Sequence, residues 1–270
     1  FEDAIRDYTQ SLEIDIGDAV TYKNRGLAHS SLHQFEESIR DFTESIELDG
    51  RDAIAYSKRG SAYSSLGRHD KAIHDYTTSI ELDEGAGEAY TNRGISFSSL
   101  GKYEESVRDY TKSIELDGGD ADTFFNRGSS NLSLGKCEEA IGDYTKCIEL
   151  DERNARAFYD RGNAYSSLGQ YEKAIRDFTE SIELDGGDAI AYGKRGFAYK
   201  SLGKYEEAIR DFTKSIQLDE GAGEAYTNRG ISFSSIGEYE EAIRDFTKSI
   251  ELDGEDADTF LTRGSSFRSL

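Results

Sequence analysis

An Arg-Gly pair stands at Arg25, Arg59, Arg93, Arg127, Arg161, Arg195, Arg229 and Arg263, each 34 residues after the one before. A fixed period of that size belongs to a stacked repeat array, whose units contact their neighbours in line, and not to a globular fold around one core. The 270 residues would otherwise suggest two globular domains, but the regularity points to one continuous solenoid with no Pro-rich or low-complexity linker. The period divides the chain into a half repeat over 1–18, full repeats over 19–52, 53–86, 87–120, 121–154, 155–188, 189–222 and 223–256, and a half repeat over 257–270.

Each unit reads as two helices. In the repeat 155–188, Phe158, Gly162, Tyr165 and Leu168 fall on one stripe at helical spacing until Gly169 breaks it. A second stripe, Tyr171, Ala174, Ile175, Phe178, Ile182 and Leu184, runs to Asp185, where Gly186-Gly187 interrupts it. Gly162, Ala164, Ala174 and Ser181 are small enough for two helices to approach closely, with aromatic knobs at Phe158, Tyr165, Tyr171 and Phe178 filling the gaps.

The order aromatic, Gly, Tyr, Leu-Gly, Tyr, Ala-Ile, Phe, Leu-Asp resembles the tetratricopeptide repeat, in a form carrying Asn-Arg-Gly in the first helix. The resemblance covers the whole chain. It implies an all-α helix-turn-helix solenoid, a right-handed superhelix in which about eight units make roughly one turn. One departure concerns the position after Leu-Asp, where the family usually has Pro. Gly50, Glu84, Gly118, Glu152, Gly186, Glu220 and Gly254 stand there. Without the ring's constraint the inter-repeat turns are expected to be more pliable.

A formal charge of −22 argues against nucleic acid, whose phosphates call for a basic surface. Runs such as Glu36-Glu37, Glu104-Glu105 and Glu206-Glu207 read as a solvated outer face. No apolar run approaches the length of a membrane span. Cys137 and Cys147 are ten residues apart on one helix, about 15 Å by helical rise, too far for a disulfide, so both are expected as buried free thiols. No nucleophile, base and orienting acid recur together and no phosphate loop is present, so the chain reads as non-catalytic and calls for no cofactor.

Each Arg of Arg-Gly from Arg25 to Arg229 has an Asp in the second helix of its unit, as Arg25 has Asp41 and Arg161 has Asp177; Asp7 occupies the place in the leading half-unit. A row of arginines could grip a ligand. An Arg this close to an apolar stripe needs a carboxylate, however, so the expected role is to tie the two helices together. Asp18, Asp52, Asp120, Asn154, Asp188 and Asp256 are placed to cap the first helices, while Ala86 and Ala222 leave theirs uncapped and those junctions loosest.

The family's usual ligand surface is the concave face of the first helices. By position, the resemblance places there Lys23, Asn24 and Leu27, then Ser57, Lys58 and Ser61, Thr91, Asn92 and Ile95, and Phe125, Asn126 and Ser129. The row continues with Tyr159, Asp160 and Asn163, Gly193, Lys194 and Phe197, and Thr227, Asn228 and Ile231. Asn24, Asn92, Asn126 and Asn228 share one repeat position and resemble the asparagine ladder with which some members hold a peptide backbone. An amide offers both donor and acceptor, which suits sequence-tolerant binding. Lys58, Asp160 and Lys194 break the ladder. The Lys and Asn combination of the family's two-carboxylate clamp is absent.

Other candidates are weaker. His29 and His33 are four apart on a helix but lack a third ligand for a metal. Asp117, Asp120 and Asp122, with the copy Asp253, Asp256 and Asp258, have a calcium loop's composition without its spacing. Gly85 and Gly87 follow a helix, not a strand, unlike a dinucleotide motif. Asn131-Leu132-Ser133 is a glycosylation sequon, with Asn131 in the place of a core aromatic. Thr43, Thr111, Thr179 and Thr247 recur at one second-helix position and read as surface residues bonding back to their own helix.

The segment Glu84–Asn92 recurs as Glu220–Asn228 and Asp52–Tyr56 as Asp188–Tyr192, both 136 residues on, so the chain is a doubled block of four repeats. Its two ends are half-units, a second helix at Phe1 and a first helix ending at Leu270. Two functions are expected from this. In the first, apolar residues at Phe1, Ile5, Tyr8, Phe260, Phe267 and Leu270 stack copies, or neighbouring repeats of a longer chain, head to tail into a filament. In the second, the chain is a scaffold for an extended peptide in the concave groove.

Overall fold

The computed structural model describes residues 1–15, 17–253 and 257–270. The expected cap Asp256 and the turn residue Gly254 lie outside the described residues, as does the side chain of Asp253. Sixteen helices are present among the described residues, and no strand. They fall into two compact units, Phe1–Gly135 and Lys136–Leu270, divided where the two copies of the 136-residue block meet.

The first unit contains α1 (Glu2–Ile14), α2 (Ala19–Ser31), α3 (Phe35–Leu48), α4 (Ala53–Ser65), α5 (His69–Leu82), α6 (Gly87–Ser99), α7 (Tyr103–Asp117) and α8 (Ala121–Ser133). The second contains α9 (Cys137–Leu150), α10 (Ala155–Ser167), α11 (Tyr171–Asp185), α12 (Ala189–Ser201), α13 (Tyr205–Leu218), α14 (Gly223–Ser235), α15 (Tyr239–Asp253) and α16 (Ala257–Ser269). Within each unit, every helix packs on the one before and the one after it in sequence, and first helices also touch the next first helix, as α10 touches α12. Contacts are therefore local along the chain, as the period requires.

Local chemistry sets the element ends. Asp18, Asp52, Asp120, Asn154 and Asp188 each accept a backbone N–H from the first turn of the following helix. Ala86 and Ala222 offer no side-chain cap. The turn from first to second helix passes through the left-handed region at Gly67, Gly101, Gly169, Gly203 and Gly237, where a residue without Cβ is least strained. His33 holds that place in the first full repeat at φ 57°, its ring edge-on to Phe35 with centroids 5.7 Å apart.

The core is a series of small layers. Phe178 is wholly buried between α10 and α11, against Gly162, where an added Cβ would lie 2.9 Å from the Phe178 ring. Ala164 and Ala174 are buried beside it. The same aromatic-on-glycine contact recurs with Phe42 on Gly26, Tyr76 on Gly60, Tyr110 on Gly94, Phe212 on Gly196 and Phe246 on Gly230. Burial pushes the Tyr76 and Tyr110 hydroxyls up to about 12. Of the two cysteines, Cys147 is buried as expected, but Cys137 is half-buried. It stands first on α9, in the place of the partly exposed Tyr103 and Tyr171, and so sits at the rim of a layer.

Candidate functional site

The arginines of the full repeats spend their donors within the fold, as a tie between the two helices would require. Arg161 donates from Nε to Asp177 Oδ2 at 2.7 Å and from Nη2 to Asp177 Oδ1 at 2.9 Å. Its remaining terminal nitrogen, Nη1, donates to Thr145 Oγ1 on the preceding second helix at 3.1 Å. Its flat face lies over Phe158 at 5.5 Å. Arg25, Arg59, Arg93, Arg195 and Arg229 repeat this arrangement with Asp41, Asp75, Asp109, Asp211 and Asp245. The guanidinium is raised above its ordinary value at Arg25 and Arg195 chiefly by the carboxylate's hydrogen bond; at Arg161 burial lowers it, but the Asp177 bond and charge outweigh burial.

The threonines do more than bond to their own helix. Thr145 Oγ1 donates to Ile141 O at 2.7 Å while accepting from Arg161, so one hydroxyl joins two successive repeats. Thr9, Thr43, Thr77, Thr179 and Thr247 do the same. The signal was in the sequence: each Thr precedes its Arg by 16 residues, as each Arg precedes its Asp.

In the first unit, the groove position shows free amides and committed lysines. Asn24, Asn92 and Asn126 are half-buried and make no side-chain hydrogen bond among the described residues. Lys23 donates instead to the cap Asp52 on the next first helix at 2.5 Å, and Lys58 to Glu88 at 2.7 Å. Both are struts between repeats. Phe125 lies on the same face of α8, half-buried.

In the second unit, a cavity of about 660 Å³ opens among α10–α14. Five expected groove residues line it, Asn163, Gly193, Lys194, Phe197 and Asn228. Phe212, Ser215 and Ala225 form the floor, and Ile190 and Tyr171 the walls. Phe197 remains 38% exposed. Its ring is fixed by Tyr171, edge-on at 6.5 Å, and by the Lys200 ammonium over its face at 4.8 Å. Lys200 Nζ also donates to Asn228 Oδ1 at 2.5 Å, while Asn228 Nδ2 donates to Glu224 O at 3.0 Å. One donor and one acceptor of that amide stay unspent, enough for one peptide group. Burial lowers the Lys200 ammonium, partly offset by the charge of Glu224.

Tyr159 is not in this cavity. It stacks obliquely on Phe178 at 5.7 Å and borders a smaller hollow of about 210 Å³ with Arg156, Asp185 and Asp188. Asp160, in the ladder position, is raised above the usual carboxylate range by burial, against the opposing charge of Arg156.

The other candidates find ordinary places. His29 Nδ1 is hydrogen-bonded to Gln34 Oε1 at 2.6 Å, and His29 Nε2 lies 3.7 Å from Asp41 Oδ2. No group of three His, Cys, Asp or Glu among the described residues is arranged for a metal, and no helix among them is long and apolar enough to cross a membrane. Asn131 is buried, which leaves its amide no room for a glycan. Phe1, Phe267 and Leu270 are exposed, and Ile5 and Tyr8 half-buried.

Comparison with known proteins gives one consistent result. A family model described as tetratricopeptide repeat matches residues 53–85, 87–120, 155–188, 189–221 and 223–256, and a second, described as TPR repeat, matches 129–169. No curated protein matches. Among solved structures, YrrB, described as a TPR protein with an unusual peptide-binding site, is 26% identical with a TM-score of 0.64 over 68% of this chain and 95% of its own. MamA is 27% identical with a TM-score of 0.61, over 63% of this chain and 93% of its own. The C-terminal part of a repeat protein from Cytophaga hutchinsonii shares the fold, with a TM-score of 0.73 at 19% identity over 88% of this chain and 97% of its own.

Proposed function

Since the chain belongs to the tetratricopeptide repeat family, we propose that it is a non-catalytic scaffold that holds an extended segment of a partner protein against the exposed face of its first helices. The observation that carries this reading is the cavity of about 660 Å³ around Gly193, Phe197 and Asn228. It is concave, lined by the apolar Phe212, Ala225, Ile190 and Phe197, and supplied with a few polar groups, as small binding sites generally are. A peptide-binding relative at 26% identity supports it. So does the engagement of arginines such as Arg161 within the fold, which leaves recognition to the groove positions around them.

End-to-end stacking of copies draws only on the half-units at the sequence's two ends, and the groove carries the assignment instead. The test is selection of a random linear-peptide library on the immobilised whole chain, followed by competition among the recovered peptides. Recovered sequences should share a motif and lose affinity for the Phe197→Ala variant. Recovery no better than from bare support would defeat the reading.

A further inference from the structure

We propose that the cavity over Gly193 is an anchor pocket for one aromatic side chain of a segment that carries Lys or Arg beside it. The proposal rests on the groove reading above and specifies what the groove takes.

The first argument is the glycine itself. Position 193 lies two residues before Arg195, and the equivalent residues in the other full repeats are Lys23, Ser57, Thr91, Phe125, Tyr159 and Thr227. A glycine inside a helix costs about 1 kcal/mol relative to alanine. Packing does not demand one here. A Cβ on Gly193 would lie 3.5 Å from Ser215 Oγ, an ordinary contact, whereas at Gly196, one turn on, it would lie 3.0 Å from the Phe212 ring. The missing side chain therefore leaves room that the helix could have filled. Two sibling repeats show the filled state, where Thr91 Oγ1 meets Ser113 Oγ at 2.7 Å and Thr227 Oγ1 meets Ser249 Oγ at 2.6 Å. Ser215 is the residue equivalent to those serines, and its hydroxyl donates instead to Ala189 O at 2.7 Å.

The second argument is the lining. Phe197 and Ile190 face solvent at 38% and 60% exposure beside the gap, and Tyr171 and Lys200 already hold the Phe197 ring in place. A flat, rigid ring entering over Gly193 would meet the edge or face of Phe197 and cover Ile190, with little conformational entropy to lose. Aromatic anchors in such pockets carry much of the energy of protein recognition.

The third is charge. Asp219 and Glu224 stand exposed at the rim on the α13–α14 side, within a chain of formal charge −22. Lys194 is the exposed cation on the α12 side. The overall field draws a cationic segment, and the two rim carboxylates place its Lys or Arg to the α14 side of the anchor.

The test uses the whole chain and a fluorescein-labelled octapeptide of Ser and Lys with one central Phe. Companion peptides replace the Phe by Ala or each Lys by Glu, and the protein variant is Gly193→Thr, the residue that two sibling repeats carry at this position. The expected result is tenfold or greater weakening with Gly193→Thr, with the Ala peptide and with the Glu peptide, and weaker binding in higher salt. Binding indifferent to Gly193→Thr, or favouring the Glu peptide, overturns the anchor pocket while leaving the groove reading to its library test. If neither this peptide nor any library peptide binds, both fall together.

Discussion

Arg93 grips Asp109 with two parallel hydrogen bonds, Nε to Oδ2 at 2.7 Å and Nη2 to Oδ1 at 2.8 Å, and the same fork recurs down the repeats. At Arg161 and Asp177 the side chains are 15% and 8% exposed, so removing either partner strands a largely buried charge. Arg161→Ala should destabilise the chain by about 3 kcal/mol, read as a shift in urea unfolding. Thr145→Val, which removes the acceptor for Arg161 Nη1 together with the hydroxyl's bond to Ile141 O, should lose about 1 kcal/mol. Because repeat arrays need not unfold as one unit, the comparison is made on the transition that reports the second unit. A loss below 1 kcal/mol for Arg161→Ala would mean the fork is not what ties the helices.

Two helix-interior glycines of the second unit, Gly162 and Gly193, should respond in opposite directions. Gly162→Ala forces a methyl to 2.9 Å from the Phe178 ring and should destabilise by about 1–3 kcal/mol. Gly193→Ala meets only Ser215 Oγ at 3.5 Å and should stabilise by about 0.5–1 kcal/mol. Thermal melting of the two variants against the parent checks both signs.

Acid should weaken the fold through the helix caps. The Asp120 carboxyl is held below its ordinary value by the Thr123 hydroxyl and backbone N–H. At Asp52 burial pushes upward, but the hydrogen bonds from Lys23 and Ala55 prevail and the net shift is downward. A carboxylate with a lowered folded value contributes stability that is present above about pH 4 and lost as pH falls through the lower folded value. Asp120→Ala should therefore cost about 1 kcal/mol at neutral pH and progressively less in acid.

Asp160 has the opposite sign. Burial raises its carboxyl, so stability falls as pH rises from the unfolded value of about 4 through the raised folded value, above which the loss is complete. Asp160→Asn should stabilise at neutral pH and make no difference well below pH ~4. Melting temperatures across pH 3–8 would show a gain that grows with pH; a loss at neutral pH would contradict the sign.

The sequence carried the regular part of this structure because regularity is what a period displays. The second helix beginning at Tyr171 and ending at Asp185, the cap at Asp188 and the Arg161 to Asp177 fork all follow from residue types repeated at fixed offsets. The threonine's second bond was missed because a hydroxyl on a half-exposed face needs no partner but its own helix; only its constant spacing from the Arg marks it. Lys23 and Lys58 look like groove residues by position, yet long flexible side chains can reach Asp52 and Glu88 on the next repeat, and they do. The cavity at Gly193 was illegible for another reason. It consists of what one repeat lacks relative to its neighbours, and its size depends on how Phe197 and Ile190 are held, which offsets along a chain do not encode.

The exposed face of the first helices is proposed to hold an extended segment. Backbone amide exchange of the intact chain, with and without a peptide recovered from the linear library, tests it most directly. The expected result is slowed exchange in α12 and α14, at 189–201 and 223–235, with the outward side of α11 and α13 unchanged. Slowing confined to the second helices, or to the two ends of the chain, would contradict it.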